Sequence, residues 1–369
     1  MAEQREWTPR MWQGCDLFAW LRLAWRNKAA VSPRFCYIPC VITCVSTLHT
    51  LLRHVQDALF GDRPARTPIK HAPLFILGHW RTGTTLLHEL LILDPRHAYP
   101  DTLHALNPNH FLLTDGFVRT WMKRLLPSRR PMDNMKAGWD RPQEDEFALC
   151  MLGQPSPYLT VAFPNHPPQD QDAYDIRDLK PVEQRRWKEA FTKLLRQITY
   201  QRGQKRLVLK SPTHTCRVPT LLEMFPDAKF VHIMRDPYAV YPSTVNLWKS
   251  LYETHGLQVP TFAGLEEQVL GTYTRMYSLL EEGKRLIPAG NFHEVKYEDL
   301  IADPLGRMRD LYADLGLGGY EEARPAFERY LAENQGYQTN RYPKLSDAEK
   351  ATITARWGEV IDRYGYRRL

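Results

Sequence analysis

A short glycine-containing stretch carries the first residues whose spacing could do chemistry. Residues 78–85 read Gly-His-Trp-Arg-Thr-Gly-Thr-Thr, which matches the phosphate-loop pattern G-x-x-x-x-G-K-[ST] at both glycines and at the final hydroxyl. Glycines allow backbone N–H groups to close around a phosphate at a helix N-terminus. Thr84 stands where the pattern has lysine, and Arg81 lies inside the loop. The loop is therefore expected to hold an anion but is poorly suited to a triphosphate with its metal.

A second candidate anion anchor follows later in the chain. Arg235 ends an apolar run at 230–234, and Ser243 lies eight residues further on, about two helical turns away. Ligands of open α/β sheets bind at the carboxyl ends of the strands, so both side chains could face one phosphate there. The alternative is an ordinary strand-to-helix turn in which Arg235 pairs with Asp236. Two anchors on one sheet favour a ligand that carries two separated phosphate groups.

The elements that would position these residues alternate between strand and helix. Residues 73–78 (PLFILG) are a short apolar run typical of a buried parallel strand, and a leucine-periodic helix follows the loop. Further on, strands at 206–210 and 230–234 flank a helix at 215–225, and 291–300 adds another strand. Strand, helix and strand at this spacing predict a parallel sheet covered by helices. The predicted fold class is α/β, with a P-loop-like parallel sheet flanked by helices.

Composition shifts divide the chain into parts. Residues 1–60 are predicted to form a helical N-terminal extension, and the breakers and charges that follow open a single α/β domain over 61–369. The region from about 100 to 205 is irregular and proline-rich, with helices predicted near 143–152 and 181–200. It is interpreted as a helical and irregular insertion over the sheet edge.

Composition also narrows the functional classes. The 369 residues include 49 Lys and Arg against 42 Asp and Glu, a net charge of +7 (49 − 42), and 43% of residues are hydrophobic. This usage excludes disordered, collagen-like and coiled-coil classes. The mild basic excess favours an anionic ligand, whereas the short, scattered basic runs argue against nucleic acid. Cys36, Cys40 and Cys44 recur every four residues, which favours packing on a helix face over a metal site.

The N-terminal region bears on cellular location. The first ten residues carry charges of both signs and lack the apolar core of a signal peptide. The stretch 35–52 is the most apolar in the chain, but Pro39 and His49 make it marginal as a membrane span, so a buried or interfacial helix is favoured. The protein is expected to be cytoplasmic. Peripheral membrane contact through the N-terminal segment stays open, and the oligomeric state cannot be derived.

The two loops, WRTGTTLLHELL and FPDAKFVHIMRDPYAVYPS, together resemble those of the sulfotransferase superfamily, especially bacterial-type sulfotransferases and tyrosylprotein sulfotransferases. The resemblance is strong over 73–100 and 206–245, weaker over 291–345 and absent from the first 60 residues. It implies 3′-phosphoadenosine 5′-phosphosulfate (PAPS) as co-substrate, which carries phosphates at both ends of its ribose and needs no metal. The implied reaction moves a sulfuryl group in line to a hydroxyl of a small acceptor.

The resemblance also implies roles for single residues. The 5′-phosphosulfate would lie on the first loop, with Arg81 facing the transferring sulfuryl group, and the 3′-phosphate would lie on Arg235 and Ser243. Lys210, in the segment VLKSPTHT, would meet the bridging oxygen of the leaving group; a solvated lysine at a strand end is the alternative. A late basic loop that closes the site maps onto Asn340 and Arg341. The first-loop residues implied are Arg81, Thr82, Gly83, Thr84 and Thr85.

Two regions of the sequence offer a candidate for the general base, and the choice between them stays open. A base must take the acceptor proton as the acceptor oxygen attacks sulfur. His104 follows the first loop at about the place where tyrosylprotein sulfotransferases carry a glutamate, and it is the first candidate. Glu144 is the second, because it opens an acidic cluster, 144–146, at a predicted helix start; that cluster could instead be only a helix N-terminal charge pattern. His110 and His214 are further histidines that fit core or binding positions.

The acceptor is expected to be hydrophobic. The insertion contains many aromatic residues, among them Trp121, Trp139, Tyr158 and Phe163, which favours a lipid, terpenoid, carotenoid or phenolic alcohol over a sugar polymer. Two other functions stay open at this point. A P-loop kinase would need Mg²⁺ and a γ-phosphate, and Thr84 in the lysine position argues against it. A non-catalytic nucleotide-binding scaffold would keep both loops.

Overall fold

A parallel β-sheet forms the centre of the molecule. A computed structural model describes residues 10–122, 138–334 and 344–369. Its strands are β1 Leu74–Leu77, β2 His97–Ala98, β3 Arg206–Lys210, β4 Lys229–Met234 and β5 Phe292–Lys296. Within these residues they form one five-stranded sheet in the order β2-β3-β1-β4-β5, and every pair is parallel. The predicted α/β fold class is confirmed.

Burial on both faces explains why the central strands are continuous apolar runs. All four residues of β1 are buried, as are the last five of β4. β1 pairs with β3 on one side and with β4 on the other, so that Ile76 lies opposite Lys210 and Leu77 opposite His232. Because parallel strands end at the same edge, the residues that follow β1, β3 and β4 meet there.

Helices cover the sheet over much of the described chain. Before the sheet lie α1 Leu17–Arg26 and α2 Ile38–Phe60, and the first loop leads into α3 Thr84–Leu91. Between β2 and β3 lie α4 Thr102–Leu106, α5 Phe111–Trp121, α6 Asp145–Met151 and α7 Pro181–Arg202. The others are α8 Val218–Met224, α9 Pro237–His255, α10 Leu265–Lys284, α11 Tyr297–Ala302, α12 Pro304–Asp314, α13 Tyr320–Glu333 and α14 Asp347–Arg363.

The strand predicted over 291–300 ends early. β5 stops at Lys296, and Tyr297 begins α11. Glu298 and Asp299 stand in the first turn of this helix, where carboxylates complement the positive end of the helix dipole. This local signal outweighs the strand propensity of the preceding residues, and it turns Tyr297 back toward the edge of the sheet.

The N-terminal helices share the core of the sheet. Trp12, Trp20 and Ile42 are buried in one hydrophobic cluster with Phe75 of β1. The indole N–H of Trp20 also donates to Thr43 Oγ1 at 2.9 Å, which joins α1 to α2. The two parts of the chain share this core. The domain boundary predicted at residue 60 stays a prediction.

The helix α2 lies at the protein surface. The segment Pro33–Phe60 is long and apolar enough, by length and composition, to cross a membrane, yet only 28% of its most apolar window is buried. Ile42 and His49 pack inward, whereas Leu48 and Leu51 are 54% and 59% exposed. The structure therefore shows a helix at the protein surface with one side packed inward, and its contact with a membrane stays a prediction.

Candidate active site

The first loop has a backbone that glycine makes possible. Gly78 has a φ of 148° and Arg81 a φ of 69°. A Cβ atom at residue 78 would lie 2.7 Å from the carbonyl oxygen of Ile233, so no larger residue fits there. The hydroxyl of Thr82 donates to the carbonyl of His79 at 2.8 Å and fixes the turn. The loop then opens into α3, whose first N–H groups have no partner within the helix and suit an anion.

The second predicted anchor meets the first loop directly. Arg81 Nε donates to Ser243 Oγ at 2.8 Å, and Arg235 Nη1 donates to the carbonyl oxygen of Arg81 at 3.3 Å. Asp236 caps α9 by accepting the backbone N–H of Tyr238 at 3.0 Å. The structure thus brings Arg81, Arg235 and Ser243 together, and Asp236 caps the helix in place of the pairing with Arg235 considered from the sequence.

Tyr297 lies beneath both anchors and carries no signal in the sequence that would identify it. A Cβ atom at Gly83, where φ is 103°, would collide with the Tyr297 ring. On the same ring stacks the guanidinium of Arg235, with Cζ 4.4 Å from the ring centroid. The aromatic ring therefore sets the position of the loop and of the cation at the same time.

Lys210 is a buried, ion-paired residue. Its Nζ lies 2.8 Å from Oε1 of Glu144, and the side chain is only 2% exposed. Glu144 is the N-cap residue of α6, so this helix holds the carboxylate across from the end of β3. The solvated lysine considered from the sequence is not what the structure shows. Removing one partner of such a pair would leave an uncompensated buried charge.

A chain of hydrogen bonds joins the first loop to this ion pair. Trp80, within the loop, donates from Nε1 to the hydroxyl oxygen of Tyr158 at 2.6 Å, and that hydroxyl donates to Oε2 of Glu144 at 2.5 Å. Burial and then the Glu144 carboxylate raise the pKa of Tyr158 well above its usual value. The phenol therefore stays protonated and remains a donor. The sequence indicates Tyr158 only as an aromatic residue of the insertion.

Each acid of the 144–146 cluster has its own partner. Besides the pair made by Glu144, Asp145 Oδ2 lies 2.8 Å from His214 Nε2, and Glu146 Oε2 lies 2.5 Å from Arg217 Nη1. These four side chains are fully buried. The cluster is thus more than a charge pattern at a helix start, because it ties α6 to the segment that follows β3.

His104 has a different environment. The backbone N–H of Asp101 donates to His104 Nδ1 at 3.0 Å, and Nε2 lies 2.7 Å from Oε1 of Gln201. The contacts to Asp101 form a capping box at the start of α4. Both ring nitrogens are therefore engaged, and the structure does not bring His104 into the network of Glu144 and Lys210.

The other predicted site residues fall into two groups. Thr84 and Thr85 form the first turn of α3, directly behind the loop. Asn340 and Arg341 lie outside the described residues. Thr215 is an additional contact without a specific sequence signal: the backbone N–H of Gly78 donates to its hydroxyl at 2.8 Å. The segment after β3 therefore braces the loop as well as supplying Lys210.

The positive charge beside the first loop comes from arginine and lysine and not from His79 or His88. Burial lowers the pKa of His79 to about 4, and burial followed by Lys210 lowers that of His88 to about 3. Both imidazoles are neutral at pH 7, so anion attraction is left to the cations that meet at this edge. In the described ranges no three His, Cys, Asp or Glu side chains are grouped as metal ligands would be; that the reaction needs no metal stays a prediction.

Known proteins are similar to this chain in sequence and in fold. The model of the sulfotransferase family matches residues 73–322. The chain is 47% identical over 368 residues to the omega-hydroxy-beta-dihydromenaquinone-9 sulfotransferase Stf3 of Mycobacterium tuberculosis (strain CDC 1551 / Oshkosh), a match that covers 100% of this chain and 94% of that protein. The match includes the first 60 residues, where the resemblance seen from the sequence is absent.

Two solved structures have the same fold. The sulfotransferase STF9 from Mycobacterium avium superposes with a TM-score of 0.65 at 18% identity, over 96% of this chain and 97% of that one. STF1 from Mycobacterium tuberculosis H37Rv superposes with a TM-score of 0.60 at 20% identity, over 94% of each chain. At these identities the two structures support the fold, whereas the family model and the full-length relative decide against the kinase and scaffold alternatives. The chain belongs to the sulfotransferase family, and it is an enzyme that transfers sulfuryl groups.

Proposed function

We propose that the enzyme transfers the sulfuryl group of PAPS to the hydroxyl of an apolar, lipid-like alcohol. The observation that carries this proposal is the hydrogen-bonded chain from Trp80 through Tyr158 to Glu144 and Lys210. It joins a phosphate-type loop to a carboxylate and an ammonium. Sulfuryl transfer, like phosphoryl transfer, depends on positioning, charge stabilisation and removal of one proton.

The donor side is supported by the glycine-dependent loop and its cations. Arg81 and the N–H groups at the start of α3 would hold the 5′-phosphosulfate, and Arg235 with Ser243 would hold the 3′-phosphate. Bound PAPS supplies the activated sulfuryl group. Asn340 and Arg341 are proposed to close over the nucleotide. The remaining loop residues in the proposed donor site are Thr82, Gly83, Thr84 and Thr85.

We assign the general base to Glu144 in preference to His104. The Glu144 side chain is 10% exposed, and each of its oxygens has a second lone pair beside the hydrogen bond that it accepts from Lys210 or Tyr158. The His104 side chain is fully buried, and its two ring nitrogens already contact Asp101 and Gln201. The acceptor proton would pass to a Glu144 oxygen while the acceptor oxygen bonds to sulfur and the bond from sulfur to the departing phosphate breaks.

Lys210 would change partner during this step. Protonated Glu144 carries no negative charge, so Lys210 loses its counter-ion as negative charge grows on the departing phosphate. A buried ammonium without a counter-ion interacts strongly with a nearby anion, because the surroundings screen it weakly. The ion pair would therefore couple removal of the proton to stabilisation of the leaving group.

The acceptor class is proposed from the aromatic surroundings of the base and from the full-length relative. Phe147 and Trp248 pack on Tyr158, with ring centroids 4.9 Å and 5.8 Å from its own, so the Glu144 carboxylate borders an apolar wall. The relative acts, by its name, on an omega-hydroxylated dihydromenaquinone. We propose a hydroxyl at the end of an isoprenoid-type lipid. A water-soluble donor and a lipid acceptor together favour a cytoplasmic enzyme that touches a membrane through its N-terminal segment.

Calorimetric titration tests the donor assignment. We expect 3′-phosphoadenosine 5′-phosphate, the desulfated product, to bind without metal and more tightly than ATP with Mg²⁺. Arg235→Ala should weaken that binding by roughly 10- to 100-fold, because a charge-assisted contact to a phosphate is lost. Arg309→Ala, which removes an arginine 66% exposed on α12, is the matched control and should bind as the wild type does. Preference for ATP with Mg²⁺ would contradict the proposal.

A further inference from the structure

Two neighbouring helices turn large apolar side chains toward solvent. The most exposed of them is Trp25, at 87%, and the least is Val41, at 41%. Soluble monomers rarely expose contiguous apolar patches of this kind unless a partner covers them. We term the exposed set the outer apolar face; its residues are Phe18, Leu21 and Trp25 of α1 and Val41, Leu48, Leu51, Val55 and Leu59 of α2.

The segment that carries most of the outer apolar face has charges of one sign, and the first acidic residue after it is Asp57 of α2, which pairs with Lys193. Residues 17–56 contain no Asp or Glu, and their five basic residues are Arg22, Arg26, Lys28, Arg34 and Arg53. Arg26 and Arg53 pair with Asp170 and Asp16, which lie outside this segment. An apolar face with tryptophan and phenylalanine and a basic border is the composition of a helix that lies in the interface of an anionic membrane.

The flanks of the face favour lipid over a second copy of the chain. Val41, Leu48 and Val55 recur every seven residues, as in a coiled coil. Paired coiled-coil helices carry Glu and Lys beside such a seam, yet residues 35–52 contain no charged side chain at all. The apolar surface is therefore wider than a helix pair needs, and it has no charges that would select a partner helix.

The inner side of α2 argues against an orientation in which the helix crosses a membrane. His49 Nδ1 is 2.7 Å from His110 Nε2, and the Gln56 side chain donates to the carbonyl of Asn109. These buried polar contacts fix α2 to the region around the start of α5. A spanning orientation would break them and expose the polar groups to hydrocarbon at high cost.

The face is connected to the proposed catalytic base through one short helix. α6 begins after Glu144 and ends at Met151, a length of about 10 Å. At that end Cys15 Sγ contacts Met151 Sδ at 3.6 Å, and the backbone N–H of Asp16 donates to the Met151 carbonyl at 3.4 Å. α1 begins at Leu17, directly after Asp16. The outer apolar face is therefore attached to one end of α6 and Glu144 to the other.

We propose that the outer apolar face docks the enzyme onto an anionic lipid bilayer, with α1 and α2 lying in the interface. Docking in this orientation brings the segment that carries Glu144 next to the lipid. A hydroxyl group at the end of a lipid tail can then reach Glu144. The purpose of docking rests on the proposed function, but the binding itself does not, so the two can be tested apart.

Vesicle sedimentation measures the docking directly. We expect the full chain to bind vesicles of phosphatidylcholine with phosphatidylglycerol and to bind pure phosphatidylcholine far less. The double substitution Leu48→Asp and Leu51→Asp should weaken binding by at least about 10-fold, and Arg22→Ala with Lys28→Ala by roughly 10- to 30-fold. The matched control is Leu286→Asp with Ile301→Asp, at residues 54% and 53% exposed elsewhere on the surface; it should bind as the wild type does.

Activity on a short, water-soluble hydroxyl-terminated isoprenoid separates docking from catalysis. All of these variants should sulfate it at the wild-type rate, while the face variants lose turnover of a lipid alcohol held in vesicles. Wild-type protein that sulfates the soluble alcohol but does not bind anionic vesicles would overturn docking and leave the function standing. Vesicle binding without sulfation of either alcohol would do the reverse. A double-aspartate variant that changes a dimer into a monomer yet still binds vesicles would make the face a contact between copies and overturn the inference.

Discussion

Glu144 has two properties that a proton acceptor needs in this site: its carboxylate is held in place, and its nearest cation can take up a second role. Replacing it by glutamine keeps the shape of the side chain and removes the proposed base. We expect Glu144→Gln to lower kcat by about 10²- to 10⁴-fold and to leave the affinity for 3′-phosphoadenosine 5′-phosphate within a few-fold. Steady-state kinetics and calorimetry measure the two quantities.

The control and the rival base complete this experiment. Glu359→Gln, at a residue whose side chain is 85% exposed, should have wild-type kinetics. His104→Asn should lower the stability of the fold through the capping box of α4 more than it lowers kcat of the folded enzyme. A folded His104→Asn enzyme with a large loss of kcat, beside an active Glu144→Gln enzyme, would move the base to His104.

We expect Tyr158 to position the proposed base, Glu144, and not to take the proton itself. Tyr158→Phe removes a donor to Glu144 and the acceptor of the Trp80 N–H. We expect the unfolding free energy to fall by about 1–3 kcal/mol. Among folded molecules kcat should fall while KM for the donor changes little. Phe163→Leu, at another buried aromatic residue of the insertion, controls for packing loss and should affect stability without the change in kcat; equal kcat for the two variants would leave Tyr158 without a positioning role.

Contiguity in sequence decides which site residues can be predicted. The first loop is recognisable because its glycines and hydroxyls follow one another, and Arg235 with Ser243 shares one strand-to-helix turn. The partner of Lys210 is 66 residues away in sequence, and nothing in the local pattern selects Glu144 over His104. Tyr158 and Tyr297 likewise reach the site only through tertiary contacts.

At the scale of elements, the loop and α11 depend on each other through Gly83. Gly83→Ala would place a Cβ atom against the Tyr297 ring at a backbone φ of 103°. We expect a loss of at least about 1–2 kcal/mol in unfolding free energy and weaker binding of 3′-phosphoadenosine 5′-phosphate. Chemical denaturation and calorimetry measure these effects.

A second glycine separates backbone strain from the clash. Gly290 also has a positive φ, 79°, but a Cβ atom there would meet nothing within 4 Å. Gly290→Ala should therefore show the cost of the backbone conformation alone and leave nucleotide binding intact. Equal effects of the two substitutions would mean that the contact with Tyr297 has no influence on the loop.

An element can be predicted from the sequence when its hydrophobic pattern extends over enough residues. β1 is a continuous apolar run and β3 and β4 are mostly apolar, and the helices near 143–152 and 181–200 correspond to α6 and α7. β2 has two residues, too few for any periodic signal. β5 is identified, but its end is misplaced, because a few residues with strand propensity run into the acidic first turn of α11.

At the scale of the whole molecule, buried neutral histidines make the fold sensitive to acid. Burial, with neighbouring charges at some of these sites, lowers the pKa of five imidazoles to between about 3 and about 4. They are His49, His79, His88, His110 and His255. In the unfolded chain each would titrate near 6.5. Below that pH the unfolded state takes up protons that the folded state does not, so stability is lost as pH falls from about 6.5 toward about 4.

Denaturant unfolding at about pH 7.5 and about pH 5 tests this expectation. Each buried histidine should cost about 2 kcal/mol over this interval. Carboxylates with lowered pKa, such as Asp101 and Glu294 at about 2, lose their contribution only at lower pH. The C–H proton resonances of the five histidines in the folded protein should not titrate above pH 5. Titration of these resonances near pH 6.5 would contradict the prediction.

Which side of the N-terminal helices is exposed is a property of the assembled molecule. Periodicity in 35–52 indicates an apolar helix, but the same pattern fits a helix covered by protein and a helix covered by lipid. Only the position of α2 against the assembled core shows that Ile42 and His49 face inward and Leu48 and Leu51 outward.

The strand order also shows that the two proposed substrate sites are built from different parts of the chain. The loop and Arg235 come from β1 and β4, whereas Glu144 and Tyr158 come from the stretch that leaves the sheet at β2 and returns at β3, on one margin. Grafting that stretch into another sulfotransferase would transfer the acceptor wall and the proposed proton acceptor in one piece, while the recipient kept its nucleotide site. In a family built this way, the identity of the base is expected to diverge together with the acceptor, and the phosphate-binding loop is expected to stay the same.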